Sequence, residues 1–296
     1  MDQLARRLGL SDAVLIGLGS MLGAGVFVAY APAAAAAGSW LLLSLLLASV
    51  VAYANATASA RLAAVYPASG GTYVYGREQL SPFWGYLAGW AFVAGKLSSC
   101  AAMAWTIGVY ALPDHARWVA VASVVLVAAI SYRGITKSAK VTRLIVAIVV
   151  TALVVAAAML IGIGPTATTA GQAIDVSVAG VLSGAGFLFF AFAGYARIAT
   201  LGEEVRDPST TIPKAIPRAL VGVLAVYSII GLTLLATVPL EAIVASDAPL
   251  RLVVESSSLD WLAPLVRVGA GIAALGVLLN LVPGISRTVL AMGRRS

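Results

Sequence analysis

The sequence predicts an all-α polytopic membrane protein, and two observations carry that prediction. Of its 296 residues, 61% are hydrophobic and only 10% are charged, against about 45–50% apolar and about 25% charged in a soluble domain. Eight stretches are also long and apolar enough for a helix to cross the hydrocarbon core, which takes about 20 residues. They lie near 10–36, 39–63, 82–111, 116–132, 141–163, 176–203, 215–238 and 259–290. Too few polar groups remain to cover a water-facing surface, which excludes a soluble enzyme, a nucleic-acid-binding protein and a disordered chain. With one cysteine, Cys100, and one histidine, His115, there is no material for a disulfide framework or a Cys/His metal site. No GxxxxGK[ST] loop is present, and no cofactor is expected.

The first span follows Arg6 and Arg7 and could be read as a signal peptide. Its apolar run is long and is interrupted by Gly17, Gly19, Gly23 and Gly25, so a retained span is expected. The loops near 64–80 and 197–214 are short, and the expected organisation is one transmembrane domain over 1–296. With the N-terminus cytoplasmic, inside segments carry 15 of the 19 Lys and Arg residues. The outer half holds Arg117, Arg251 and Arg267, and Lys96 lies within span three. The positive-inside rule therefore predicts a cytoplasmic N-terminus in the cell membrane. The net charge of +7 is a topology signal and needs no nucleic acid to explain it. Trp40, Trp84, Trp118 and Trp261 sit near span ends, as an interfacial aromatic belt predicts.

Spans one and six carry the most information. The first reads Gly19-Ser20-Met21-Leu22-Gly23-Ala24-Gly25-Val26-Phe27, and the sixth reads Phe189-Phe190-Ala191-Phe192-Ala193-Gly194-Tyr195. Glycine costs about 1 kcal/mol relative to alanine in a helix interior, although small residues also let helices pack closely. Matching interruptions in two halves point to an inverted-repeat transporter with its site at the repeat interface. Unwound backbone at that depth must face a cavity or a ligand. A half-helix starting near Ala24 aims N–H groups and a positive dipole end at the break, which suits a carboxylate. Half-helices ending near Met21 and Phe190 expose carbonyls, which suit an ammonium. Both charges of a free amino acid could be held with few charged side chains.

The Gly-Ser-x-x-Gly-Ala-Gly-Val-Phe run resembles the first-span signature of the amino acid-polyamine-organocation (APC) permeases. Two further blocks share the resemblance. Pro67-Ala68-Ser69-Gly70-Gly71-Thr72-Tyr73-Val74-Tyr75, followed by Gly85 and Gly89-Trp90, is similar to the family's short re-entrant segment and the start of span three. Glu203-Glu204-Val205-Arg206-Asp207-Pro208, followed by Ile212-Pro213-Lys214-Ala215-Ile216, is similar to the loop after span six. The resemblance covers essentially the whole chain. It implies a five-plus-five inverted repeat with alternating access, its first repeat at about 10–163 and a partial second at about 176–293. By motif position, it implies that the amides of Gly23, Ala24 and Gly25 meet a substrate carboxylate. Carbonyls near Met21, Phe190, Ala191 and Ala193 would meet the ammonium, Phe190 would act as an aromatic gate, and Ser20 would add a hydroxyl. Three departures stand out. The family usually has about twelve spans and its repeat needs ten, so the expectation is a permease truncated after span eight. The span-five lysine that many members associate with proton coupling is replaced by Val149, and Ala196-Arg197 stands where an acid often follows the span-six glycine–aromatic pair.

Lys96 is the sharpest single residue, about 14 residues into span three. An ionisable group at that depth is costly and marks a functional site by default. It is the candidate to replace the missing span-five amine in coupling, set against a structural role bonding carbonyls. Arg197 is read as a positive-inside residue, Arg267 as snorkelling outward, Asn280 and Cys100 as packing residues, and Glu203 and Glu204 as a candidate inner gate. The leading expectation is a secondary active transporter of small, neutral amino acids, coupled to protons. One alternative is a polyamine or cationic amino acid carrier or exchanger, weakened because no carboxylate lies well inside any span. The other is a non-transporting remnant or a subunit needing a partner. No Ser/His, paired-Asp or HExxH constellation supports an enzyme. The expected partners are a small amino acid, a proton and the lipid bilayer; the sequence leaves the oligomeric state open.

Overall fold

Inside a bilayer a backbone must satisfy its own polar groups, and a helix does so within one segment. A computed structural model describes residues 8–22, 24–66, 70–133, 177–199, 205–255, 261 and 263–294. Its helices are α1 (Leu10–Met21), α2 (Ala24–Val28), α3 (Tyr30–Ala37), α4 (Leu41–Val65), α5 (Thr72–Gln79), α6 (Pro82–Ala111) and α7 (Ala116–Tyr132). After the fifth expected span come α8 (Val178–Phe192), α9 (Ala196–Ala199), α10 (Pro208–Thr237), α11 (Leu240–Val244), α12 (Pro249–Glu255) and α13 (Ala263–Gly293). Among the described residues, six helical stretches are long and apolar enough to cross a membrane. The chain is thus an all-α polytopic membrane protein. Span five, 141–163, and Val149 within it lie outside the described residues.

The first expected span is divided into α1, α2 and α3, and the sixth into α8, a tight 3-10 turn at Ala193–Tyr195, and α9. Span seven starts seven residues earlier than the hydropathy pattern predicts. The polar stretch before 215 reads as loop, yet it begins a helix with Pro208 in the first turn, where a missing N–H costs nothing. Asp207 adopts a left-handed conformation, φ 46°, and its carbonyl accepts the backbone N–H groups of Thr210 and Thr211. Just before this turn, Val205 forms a parallel bridge with Leu8, and the N–H of Arg206 donates to the Leu8 carbonyl at 2.9 Å. The start of span one is therefore held to the start of span seven.

The helices pack as two groups. Helices α1, α3, α4, α8 and α10 pack on one another, and α6, α7 and α13 pack on one another. Two buried clusters fill them, and the larger also takes in Tyr110 of α6, Ala116 of α7 and Ala270 of α13. One runs through Met21, Leu45, Phe192 and Tyr227, and the other through Cys100, Met103, Val127, Ala274 and Leu278. The short helix α2 touches α8 on one side and both α6 and α13 on the other. A third cluster, Tyr73, Val74 and Tyr75 of α5 with Ala63, packs at one end against Ala291 and Met292. At the C-terminal end of α6, Arg267 Nε donates to the Tyr110 carbonyl at 3.0 Å, capping the helix where its dipole favours a cation. Arg267 thus lies near a span end, as expected, with its guanidinium on the backbone of span three. Trp40, Trp84, Trp118 and Trp261 are each more than half exposed on the outer surface.

Candidate functional site

The two interrupted spans cross at their interruptions. Helix α1 ends as the Leu22 N–H returns to the Leu18 carbonyl, and α2 begins two residues later at Ala24. Helix α8 ends at Phe192, and the chain tightens into the 3-10 turn. The backbones touch where these segments meet. A Cβ built on Gly25 would fall on the Cα of Ala191, and one built on Gly194 would fall on the carbonyl of Ser20. Neither position can carry a side chain without moving the opposite backbone. That is the physical reason for glycine at both places, and it satisfies the packing role of small residues and the interruption together. The structure brings Ser20, Met21 and Gly25 against Ala191, Ala193 and Gly194. Gly23 lies outside the described residues, and Ala24 is described as backbone in the first turn of α2.

Every carbonyl expected to meet an ammonium has a partner within the protein. The Tyr227 hydroxyl, on α10, donates to the Met21 carbonyl at 2.6 Å and lies 3.1 Å from the Ala191 carbonyl. The Phe190 carbonyl accepts the Ala193 N–H inside the 3-10 turn. The Lys96 ammonium donates to the Ala193 carbonyl at 3.3 Å. A carbonyl oxygen has two lone pairs, so each keeps capacity for a second donor. The Ser20 hydroxyl donates to Ile16 of its own helix at 2.8 Å. The Phe190 ring packs at the edge of the second cluster, with Cys100, Met103 and Val277. His115 is exposed in the turn between α6 and α7 and Arg197 is partly buried in α9, while Glu203 and Glu204, the candidate inner gate, lie outside the described residues.

Buried tyrosines are the part of this site that reading by motif misses. Tyr30, Tyr110 and Tyr227 are all fully buried within apolar segments. A buried tyrosine hydroxyl needs an acceptor, and here each finds a backbone carbonyl at or near the interruptions. Tyr30 donates to the Tyr227 carbonyl, and Tyr110 to the Phe27 carbonyl of α2 at 3.4 Å. The rings add edge contacts: Phe27 with Tyr110 at 5.5 Å between centroids, and Phe192 with Tyr227 at 5.1 Å. A tyrosine midway along an apolar span was the available sequence signal.

Lys96 is the one cation at the crossing for which the structure shows a bond to the turn. It stands midway along the 30-residue helix α6, about 20 Å from either end at 1.5 Å per residue. Its ammonium lies 5.7 Å from the centroid of the Phe92 ring, within cation–π range. It belongs to the α6–α7–α13 group and bonds to span six of the other group, so it crosses between the two.

The family described as "Amino acid permease" matches residues 12–296. An uncharacterized transporter of Mycobacterium tuberculosis is 58% identical over 296 residues, covering 99% of this chain and 67% of the relative. The branched-chain amino acid permease BcaP of Bacillus subtilis is 25% identical over 316 residues, covering 98% of this chain and 68% of that protein. The chloroplastic cationic amino acid transporter 9 of Arabidopsis thaliana is 27% identical over 326 residues, covering 99% of this chain and 56% of that protein. With a family match over nearly its whole length, the chain belongs to the amino acid permease family of the APC superfamily, a family of transporters rather than enzymes.

Proposed function

We propose that this protein is a secondary active transporter that moves small, neutral amino acids across the cell membrane by alternating access. The observation that carries the reading is the crossing of spans one and six at their interruptions, Gly25 on Ala191 and Gly194 on Ser20. Backbone polar groups concentrate there, where helices of the two groups meet. A site there can open to either side as the two groups reorient. In this reading the amides of Gly23, Ala24 and Gly25 receive the substrate carboxylate. The carbonyls of Met21, Phe190, Ala191 and Ala193 receive the ammonium, Ser20 borders the site and Phe190 gates it. The bonds from Tyr227 and Lys96 hold those carbonyls in place while the site is empty, and the second lone pair of each accepts the substrate.

The same reading takes residues 10–163 as the first inverted repeat and 176–293 as part of the second, with a cytoplasmic N-terminus. It makes the transport a proton symport in which Lys96 carries the proton, since its bond to Ala193 links a titratable amine to the turn that moves. The cationic alternative keeps one observation in its favour, the similarity to a protein named for cationic amino acids. Against it, the sequence has no Asp or Glu between Asp12 and Glu78, between Glu78 and Asp114, or between Asp175 and Glu203. Spans one, two, three and six therefore hold no carboxylate near their centres. Uptake of radiolabelled alanine into liposomes containing only the purified protein tests the proposal. Saturable uptake driven by an inward proton gradient supports it, and a folded protein giving no uptake above empty liposomes overturns it.

A further inference from the structure

The positive charge at the span-six turn has a consequence for selectivity. An ammonium has three donors. One of those on Lys96 reaches the Ala193 carbonyl, and among the described residues no side chain accepts the other two. The group faces a ring from Phe92 and stands one helical turn from Cys100 on the same helix. The one carboxylate in the spans that build the crossing, Asp12, stands in the first turn of α1, so no carboxylate near the span centres neutralises it. A substrate α-ammonium can still be held by carbonyl lone pairs, because its own carboxylate travels with it. A second cation on the side chain brings no such partner.

We propose that Lys96 sets the charge selectivity of the permease, excluding substrates with a cationic side chain and admitting those whose side chain is uncharged. The inference rests on the transport-site reading above and gives it a substrate class. At close range in a partly desolvated site, two like charges repel strongly enough to cost a cationic substrate about tenfold or more in affinity. The repulsion depends on the charge of residue 96. A purely structural role depends on its hydrogen bond, and the two roles separate experimentally.

The test compares uptake of radiolabelled L-lysine and L-alanine by the purified protein in liposomes, for wild type and for Lys96→Gln, Lys96→Met and Lys96→Arg. The same two amino acids are also tested for ligand-induced shifts of the melting temperature in detergent, which read binding even where a variant no longer transports. Wild type is expected to favour alanine by at least about tenfold. Lys96→Gln, which keeps a donor but no charge, and Lys96→Met should both raise the lysine-to-alanine ratio by about tenfold, while Lys96→Arg keeps the wild-type ratio. Comparable lysine and alanine uptake by wild type overturns the proposal without any variant and leaves the transport reading standing. So does a Lys96→Gln ratio equal to that of wild type. A folded wild-type protein that neither transports nor binds either amino acid overturns both.

Discussion

The hydroxyl of Tyr227 lies 2.6 Å from the carbonyl oxygen of Met21, although 206 residues separate them in sequence. The same hydroxyl reaches Ala191, so one atom of span seven fastens both interrupted helices. The ring sits against Phe192 and is fully buried, so water cannot replace the bond.

Removing that hydroxyl should therefore be costly. Leaving a buried acceptor unsatisfied costs about 1–3 kcal/mol. Tyr227→Phe is expected to lower the melting temperature by several degrees in detergent, as read by fluorescence-detected unfolding. Tyr110→Phe should cost less, because the bond it loses to Phe27 is 3.4 Å long. An unchanged melting temperature for Tyr227→Phe would show that the hydroxyl does not tie the interruptions together.

The glycines at the crossing make a sharper prediction, because their neighbours are backbone. Gly25→Ala and Gly194→Ala each place a methyl on a main-chain atom of the opposite span. Overpacking of this kind costs about 1–3 kcal/mol, and uptake should fall to background because the displaced backbone is the proposed binding surface. Gly186 lies on the same helix α8 with nothing within 4 Å of its added Cβ. Gly186→Ala should be neutral or slightly stabilising, since alanine is the better helix former by about 1 kcal/mol. Equal effects at Gly25 and Gly186 would contradict the close crossing.

Coupling is tested at Lys96. The proposal that it carries the proton expects Lys96→Met to take up alanine independently of pH, or not at all. A Lys96→Met protein with wild-type pH-dependent uptake would remove Lys96 from the coupling mechanism. That result would leave the charge-selectivity test intact, since selectivity is measured at one pH.

Arg267 offers a prediction about stability alone. Its guanidinium caps the last turn of α6 through Tyr110 and Ala111. Arg267→Ala should lower thermal stability by about 1 kcal/mol, within the range for charges at helix termini. The lysine-to-alanine ratio should not move, because this end is distant from the Ala193 turn. A changed ratio would mean that the capping contact influences the site.

The fold was legible in the sequence where local composition decides it. Long apolar runs gave the spans, and Gly23, Gly25 and Gly194 marked where two of them are interrupted. The depth of Lys96 was also legible, because a charge midway along an apolar run has no local explanation. The start of span seven was not, because the polar run before Lys214 looks like loop until Asp207 and Pro208 are seen to begin a helix. The Tyr227 bond was hidden for a different reason: its partners are backbone atoms of two distant segments, and backbone positions leave no trace in local periodicity. The span-six interruption was placed correctly, but its chemistry was only half visible. The 3-10 turn lets the Phe190 carbonyl accept from Ala193, where full unwinding would have left it open.

The central claim is that an amino acid binds where spans one and six cross. Its most direct measurement is alanine uptake by purified protein in liposomes, with wild type and Gly25→Ala measured side by side and Gly186→Ala as the packing control. The account predicts saturable uptake by wild type and Gly186→Ala, and background uptake by a folded Gly25→Ala protein. Wild-type uptake that Gly25→Ala leaves unchanged would put the site elsewhere, and no uptake by folded wild type would contradict the transport reading itself.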